Sequence, residues 1–192
     1  MTSSASSEIS QGMKLSKGTH IAHLFSNSAE KQTTLFHFCD AAVNSERSFL
    51  LYIAGKQGVK GIRLSLKDVS FNVAFYEKAR QLKIVDSDEW YLESGRQKSS
   101  FKTNEKLKEQ LAAVISDALS SGFSFVTVIS ETDSLVRKGF YREYSEYDKS
   151  LGAETPGLAA AFICAFDRRE MEVAGILNIR EDLSKSHSEI VV

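Results

Sequence analysis

The sequence predicts an α/β domain of three layers, a mainly parallel sheet flanked by helices. Three observations carry this expectation. Residues 48–54 (SFLLYIA) are a nearly unbroken apolar run, as a strand reads when both faces are covered; 123–130 (FSFVTVIS) is the strongest strand in the chain, and 157–167 (GLAAAFICAFD) reads as another buried strand. The stretches between them place apolar residues at helical spacing, so strands alternate with helices. At 192 residues, the chain is long enough for one domain with a sizeable core.

Each element follows in order. Residues 1–17 are Ser-rich and lack periodicity, which predicts a disordered leader before a domain over 18–183. "HIAHLF" (20–25) reads as a short strand. "QTTLFHFCDAAVN" sets Leu35, Phe38, Cys39 and Ala42 on one side of a helix over 33–43. After the buried strand 48–54, "GVKGIRLSLKD" forms a short helix with Val59, Ile62 and Leu66 together, and "FNVAFYEKARQ" a second one. "LKIVDS" (82–87) is a strand, and "EWYLESGRQKSSF" a polar connection with aromatics embedded in it. The clearest helix is "NEKLKEQLAAVISDALSSG", with Leu107, Leu111, Val114, Ile115, Ala118 and Leu119 in one stripe. Thr103 caps its start and Gly122 ends it. Strand 123–130 precedes one amphipathic helix, "SLVRKGFYREYSEYDKSL". Strand 157–167 precedes a closing helix, "RREMEVAGILNI", and the tail 184–192 carries an edge strand, "HSEIVV".

Composition narrows the partners. With 42% hydrophobic residues, 26% charged residues and a net charge of -1, nothing attracts the chain to nucleic acid or an anionic membrane. No apolar run spans a bilayer and the N-terminus has no signal-peptide core, so a cytoplasmic location is expected. Cys39 and Cys164 sit among apolar neighbours and read as buried free thiols. A redox pair would require them to be neighbours in space. The single proline, Pro156, argues for tightly connected elements.

The segment "HLFSNSAEKQTTLFHF" lies where a phosphate-binding loop would, between a strand and a helix. Such a loop needs G-x-x-x-x-G-K-[ST]: glycines turn amides inward, Lys neutralises phosphate, and a hydroxyl holds magnesium. With Thr33 at the hydroxyl position, Gln32 replaces the Lys, and Ser26 and Lys31 replace the glycines. Shifting by one residue makes Lys31 the lysine but puts Glu30 at a glycine position, facing phosphate with like charge. Neither register supplies a glycine. The loop is not expected to hydrolyse nucleotide.

The stretch from His20 to Asp68, together with "SGFSFVTVISE" and "FICAFDRREM", resembles the MEDS family, the methanogen/methylotroph sensory domain, over residues 20–179. The same order of elements is similar to the KaiC branch of RecA-like ATPases with the nucleotide loop eroded. In that comparison "FVTVISE" takes the place of the Walker B strand, and Ser130 stands where an aspartate is expected. The resemblance implies a non-catalytic sensor of small molecules, hydrocarbon derivatives among them, in microbial signalling. One departure is plain: where the family often has His-Pro near its C-terminal end, His187 here precedes Ser188.

Other candidates carry competing bland readings. His20 and His23 are three apart on a strand and point to opposite faces, so they do not share a metal. With two cysteines and no zinc-like spacing, no metal or cofactor is expected. His20 is better read as a hydrogen-bonded structural or pocket residue. Gly55, Gly58 and Gly61 match no dinucleotide fingerprint and read as a turn. Glu131 follows the strongest strand, where such sheets place a binding crevice; it orients a polar ligand or merely favours a helix N-terminus. Trp90 and Tyr91 line an apolar pocket or pack beneath a loop. Tyr141, Tyr144 and Tyr147 form one helix face, suited to a partner or to the core. No Ser-His-Asp or Cys-His arrangement is argued by motif.

The leading expectation is a non-enzymatic ligand-binding domain that signals through a separate protein. Its site falls at the carboxyl ends of the strands, from His20, Ser26, Gln32, Thr33, Trp90, Tyr91 and Glu131, with the 26–32 loop as one wall. The rivals are a KaiC-type nucleotide-binding ATPase and a protein-interaction module using the tyrosine face or a sheet edge.

Overall fold

A computed structural model describes residues 15–45, 47–93, 99–176 and 178–192. Most of the leader expected over 1–17 lies outside them. Six strands form one sheet: β1 (His20–Phe25), β2 (Ser48–Ala54), β3 (Leu82–Asp86), β6 (Phe125–Glu131), β7 (Ala160–Asp167) and β8 (Glu189–Val191). Their order is β3-β2-β6-β7-β1-β8 and every pairing is parallel. Between β3 and β6, β4 (Leu92–Glu93) and β5 (Ser100–Phe101) make a small antiparallel pair. The expected α/β architecture is therefore present.

Helices cover both faces of the sheet. On one face lie α1 (Ser28–Asn44), α2 (Gly58–Asp68) and α3 (Val73–Lys78), burying Leu35, Phe38, Cys39, Ile62, Leu66 and Val73 against Ile21, Phe25, Leu50, Tyr52 and Ile129. On the other lie α4 (Ser87–Tyr91), α5 (Asn104–Ser120), α6 (Asp133–Arg137), α7 (Tyr141–Glu154), α8 (Arg168–Val173) and α9 (Ile179–Ser184). The stripe on α5 behaves as its spacing requires: Leu107, Leu111, Ile115 and Ala118 are buried, and Thr103 accepts from the Lys106 N–H as cap. Truncating a buried leucine such as Leu107 to alanine removes contacts worth about 2–5 kcal/mol.

Four local expectations are corrected. The helix expected over 33–43 starts at Ser28, because Asn27 accepts from the Glu30 N–H (2.9 Å) while the Glu30 carboxylate accepts from the Ser26 N–H (2.8 Å). This reciprocal pair closes the chain into a helical turn two residues after β1, so the 26–32 loop shrinks to Ser26 and Asn27. The single helix expected over 134–151 is two, α6 and α7, interrupted at Gly139. The closing helix expected over 168–179 ends at Val173, before Gly175, with the separate helix α9 starting at Ile179. "EWY" is not part of a polar connection: Asp86 caps α4, and Trp90 and Tyr91 enter the core.

The two cysteines lie on opposite faces of the sheet, Cys39 with the α1 core and Cys164 with the α7 core. They are free thiols and not a pair. No helix among the described residues is long and apolar enough to cross a membrane.

Candidate functional site

The parallel register aligns the carboxyl ends of the central strands: Phe25 opposite Asp167, Glu131 opposite Ala165, and Ile53 opposite Ser130. Side chains alternate across each strand, so Ser130 and Glu131 face opposite layers. Glu131 faces the α1 layer and is fully buried. One oxygen accepts from the Tyr52 hydroxyl (2.7 Å), the other from the Gly55 N–H (3.0 Å), and Lys31 Nζ lies 3.1 Å away. The Lys31 ammonium stands over the Phe25 ring, 5.6 Å from its centroid. It makes an ion pair with Glu131 without a well-aligned hydrogen bond. Burial, then the Glu131 charge, pushes the Tyr52 hydroxyl well above its ordinary range, so it stays a donor.

Above this buried pair, between α1 and α2, opens a small cleft of ≈ 50 Å³. Leu35, Phe36, Ile62 and Leu66 form its apolar walls, and Gln32 and Gln57 its polar rim. Gln32 is fixed by a bond from its amide to the Ser65 carbonyl (3.0 Å), which ties α1 to α2. A volume of this size admits about three to five water-sized groups.

Next to the cleft, the strand ends carry a charged network. Fully buried Asp133 accepts from the Lys56 N–H (2.9 Å). A Cβ on Gly55 would sit 2.0 Å from Asp133 Oδ1, so only glycine allows this approach. Lys56 Nζ reaches Asp167 (3.2 Å) and Glu170 (3.4 Å), and Arg137 also pairs with Glu170. Burial lowers the Lys56 pKa, but bonding to Asp167 and the Asp133 charge outweigh it and the net shift is upward. The groove beside this network, ≈ 380 Å³, is open and lined by Lys56, Asp86, Asp88, Arg137 and Lys138.

The candidates read from sequence divide between these places. Gln32 and Glu131 line the cleft. Ser26 only donates its N–H to Glu30, and Thr33 is exposed, its hydroxyl bonded to the Ala29 carbonyl (3.0 Å). Trp90 and Tyr91 lie on the opposite face, where Tyr91 meets Ser130 through their hydroxyls (2.8 Å). They cannot wall a site that contains Glu131. Of the tyrosine face, Tyr144 and Tyr147 are core residues packed on Tyr91, which removes that surface from the interaction reading. The missed residues are Lys31 in its buried role, Tyr52, Ile62 and Leu66. The Asn27 to Glu30 capping spacing is the signal that places Lys31 one turn into a helix.

His20 sits elsewhere, at the start of β1 and under α7. Its Nε2 is 3.1 Å from Asp148 Oδ1 and 3.5 Å from Cys164 Sγ, and its ring is 4.2 Å from that of His187. Ser186 donates to Asp148 Oδ2 (2.7 Å). Burial raises the Asp148 pKa, but the His20 bond and the His187 charge outweigh it and hold the carboxyl low; burial pushes the Cys164 thiol far up. These four residues come from distant parts of the chain, and no spacing announces them.

The three-layer arrangement, a parallel sheet with its crevice at the position of a phosphate loop, is a RecA/KaiC-like fold. It is similar to the KaiC-like protein PH0186 of the hyperthermophilic archaeon Pyrococcus horikoshii OT3, with a TM-score of 0.56 and 10% identity over 79% of this chain. The match spans 62% of that protein's length. The chain belongs to the MEDS family, MEthanogen/methylotroph, DcmR Sensory domain, whose sequence pattern matches residues 19–182. It is thus a member of a sensory-domain family. No curated protein matches it.

Proposed function

We propose that this chain is a non-catalytic sensory domain that binds a small, weakly polar molecule in the cleft between α1 and α2. The cleft itself carries the reading: four apolar walls over a Tyr52–Glu131 floor, sized for a few non-hydrogen atoms. Those dimensions suit the short hydrocarbon derivatives that the MEDS resemblance implies. Occupancy would couple α1 to α2 through Gln32 and Ser65, and a separate signalling protein would read that change.

The nucleotide reading finds less support. Its lysine is already neutralised by Glu131, its hydroxyl on Thr33 faces solvent, and a capped helix turn replaces the glycine loop. Short-chain alcohols and halogenated alkanes should raise the melting temperature by linkage. Ile62→Trp, which fills the cleft, should remove that effect. Binding that ignores Ile62→Trp would overturn the placement, and micromolar binding of magnesium-ATP would favour the nucleotide reading instead.

A further inference from the structure

We propose that His20, Asp148, Cys164 and His187 form a binding site for a divalent metal ion of the zinc type, buried between the sheet and α7. One ligand atom from each residue lies within 4.8 Å of every other, and all four residues are buried. Zinc bonds of about 2.0–2.3 Å in a tetrahedron separate neighbouring ligand atoms by about 3.3–3.8 Å. Two separations fall in that range on one Asp148 oxygen, His20 Nε2 to Cys164 Sγ at 3.5 Å and Cys164 Sγ to Asp148 Oδ1 at 3.4 Å. His187 Nε2 lies 3.5 Å from the other oxygen, Oδ2, so closing the shell draws His187 inward from a set that spans up to 4.8 Å. His20 Nε2 to Asp148 Oδ1 is slightly tighter at 3.1 Å. Two imidazoles, one thiolate and one carboxylate are a donor set that suits zinc.

The orientation of His187 is the independent observation. Its Nδ1 lies 2.9 Å from both the Leu183 carbonyl and Ser186 Oγ. The carbonyl can only accept and the Ser186 hydroxyl gives its proton to Asp148, so a proton on Nδ1 is the tautomer that satisfies both contacts. Its Nε2 therefore aims a lone pair at the Asp148 carboxylate. That nitrogen is fully buried and has no hydrogen-bond partner among the described residues. Two acceptors facing each other in a dry interior repel unless a cation lies between them. A backbone carbonyl on the far nitrogen is also how metal-binding histidines are commonly held. Ser186 supplies the matching outer contact to Asp148.

The fold makes room for this approach. A Cβ on Gly152 of α7 would lie 2.5 Å from the Ser186 carbonyl oxygen and 3.2 Å from His20 Nδ1. Four protein ligands close the coordination shell, so the ion is a clip and not a catalyst. It joins β1, α7, β7 and the segment leading into β8, which otherwise holds the sheet edge by three residue pairs. On binding, the Cys164 thiol becomes a thiolate and its proton leaves to solvent.

Cobalt(II) and zinc(II) titrations of the full chain test the site. One cobalt per chain should bind, giving the near-ultraviolet thiolate-to-cobalt band and the intense visible bands of a tetrahedral ion. The chain has two cysteines, so the band must persist in Cys39→Ser, where only Cys164 remains, and vanish in Cys164→Ser. Ser186→Ala should weaken zinc binding by about 10–100-fold. If Cys164→Ser does not fold, the wild-type and Cys39→Ser spectra decide alone. Absence of the band from the wild type, or its loss in folded Cys39→Ser, would overturn the proposal.

Discussion

Two buried polar clusters lie on opposite faces of the same sheet, and they solve the cost of burial differently. At the crevice end, Lys31 and Glu131 cancel each other's charge, and Tyr52 and Gly55 complete the carboxylate. Under α7, Asp148 gathers His20, Cys164 and His187, yet His187 Nε2 is left without a partner. In the first cluster the Lys31 charge is met by the Glu131 carboxylate, whose two oxygens also have donors, and a small cleft with apolar walls opens above it. In the second, Asp148 is supplied with donors, but the His187 Nε2 lone pair points at that carboxylate with no donor between them. Burial alone does not mark a metal site; a lone pair aimed at other ligand atoms does.

The comparison breaks most visibly at Glu131. Glu131→Ala leaves the Lys31 ammonium buried and unpaired, and should cost about 3–5 kcal/mol in urea unfolding. Lys31→Met combined with Glu131→Gln removes both charges, with the amide oxygen accepting from the Gly55 N–H and the amide NH2 donating to the Tyr52 hydroxyl oxygen. It should cost clearly less, and an equal loss would show that the stranded Lys31 charge is not what destabilises Glu131→Ala.

Acid sharpens the contrast through His23, which shares the Lys31 layer. Burial, joined by repulsion from Lys31, lowers its pKa from 6.5 to about 4; the nearby Val191 backbone offsets part of this without completing a hydrogen bond. The unfolded chain then binds a proton between these values that the folded chain does not. Stability is full above pH 6.5 and falls as the pH drops toward 4, by ~3 kcal/mol at most. His23→Leu should flatten that part of the stability profile. An unchanged slope would assign the loss to other groups.

Gly152→Ala tests how tightly α7 must approach the second cluster. The added methyl meets the Ser186 carbonyl, and the repacking should cost about 1–3 kcal/mol by thermal unfolding. It should also weaken cobalt binding, whereas a glycine substitution remote from the cluster should not.

Thr33→Ala is the smallest effect. A magnesium-holding hydroxyl would be indispensable to nucleotide binding, but an exposed one bonded to its own helix should matter by less than about 0.5 kcal/mol. Ligand binding in the cleft should be unchanged by it.

The strands, the α5 stripe and the family were legible in the sequence because each rests on local periodicity or a contiguous motif. Buried parallel strands announce themselves as apolar runs, and that is a property of neighbours in the chain. Even the correction at α1 is local, since Asn27 and Glu30 lie three apart and form a capping pair inside the stretch that has the length of a phosphate loop. The face on which Trp90, Tyr91 and Glu131 fall was not legible. It depends on whether α4 packs behind or before the sheet, a choice made by three-dimensional packing.

What the sequence alone determined is the layered α/β architecture, the absence of a glycine loop and the membership of a sensory family. The tertiary structure decided which polar groups meet. Lys31 and Glu131 are a hundred residues apart by number, and His20 and His187 stand near opposite ends of the chain. Such partners come together only when β1, the central strands and β8 align in one register, because the energy that joins them is spread over the whole core.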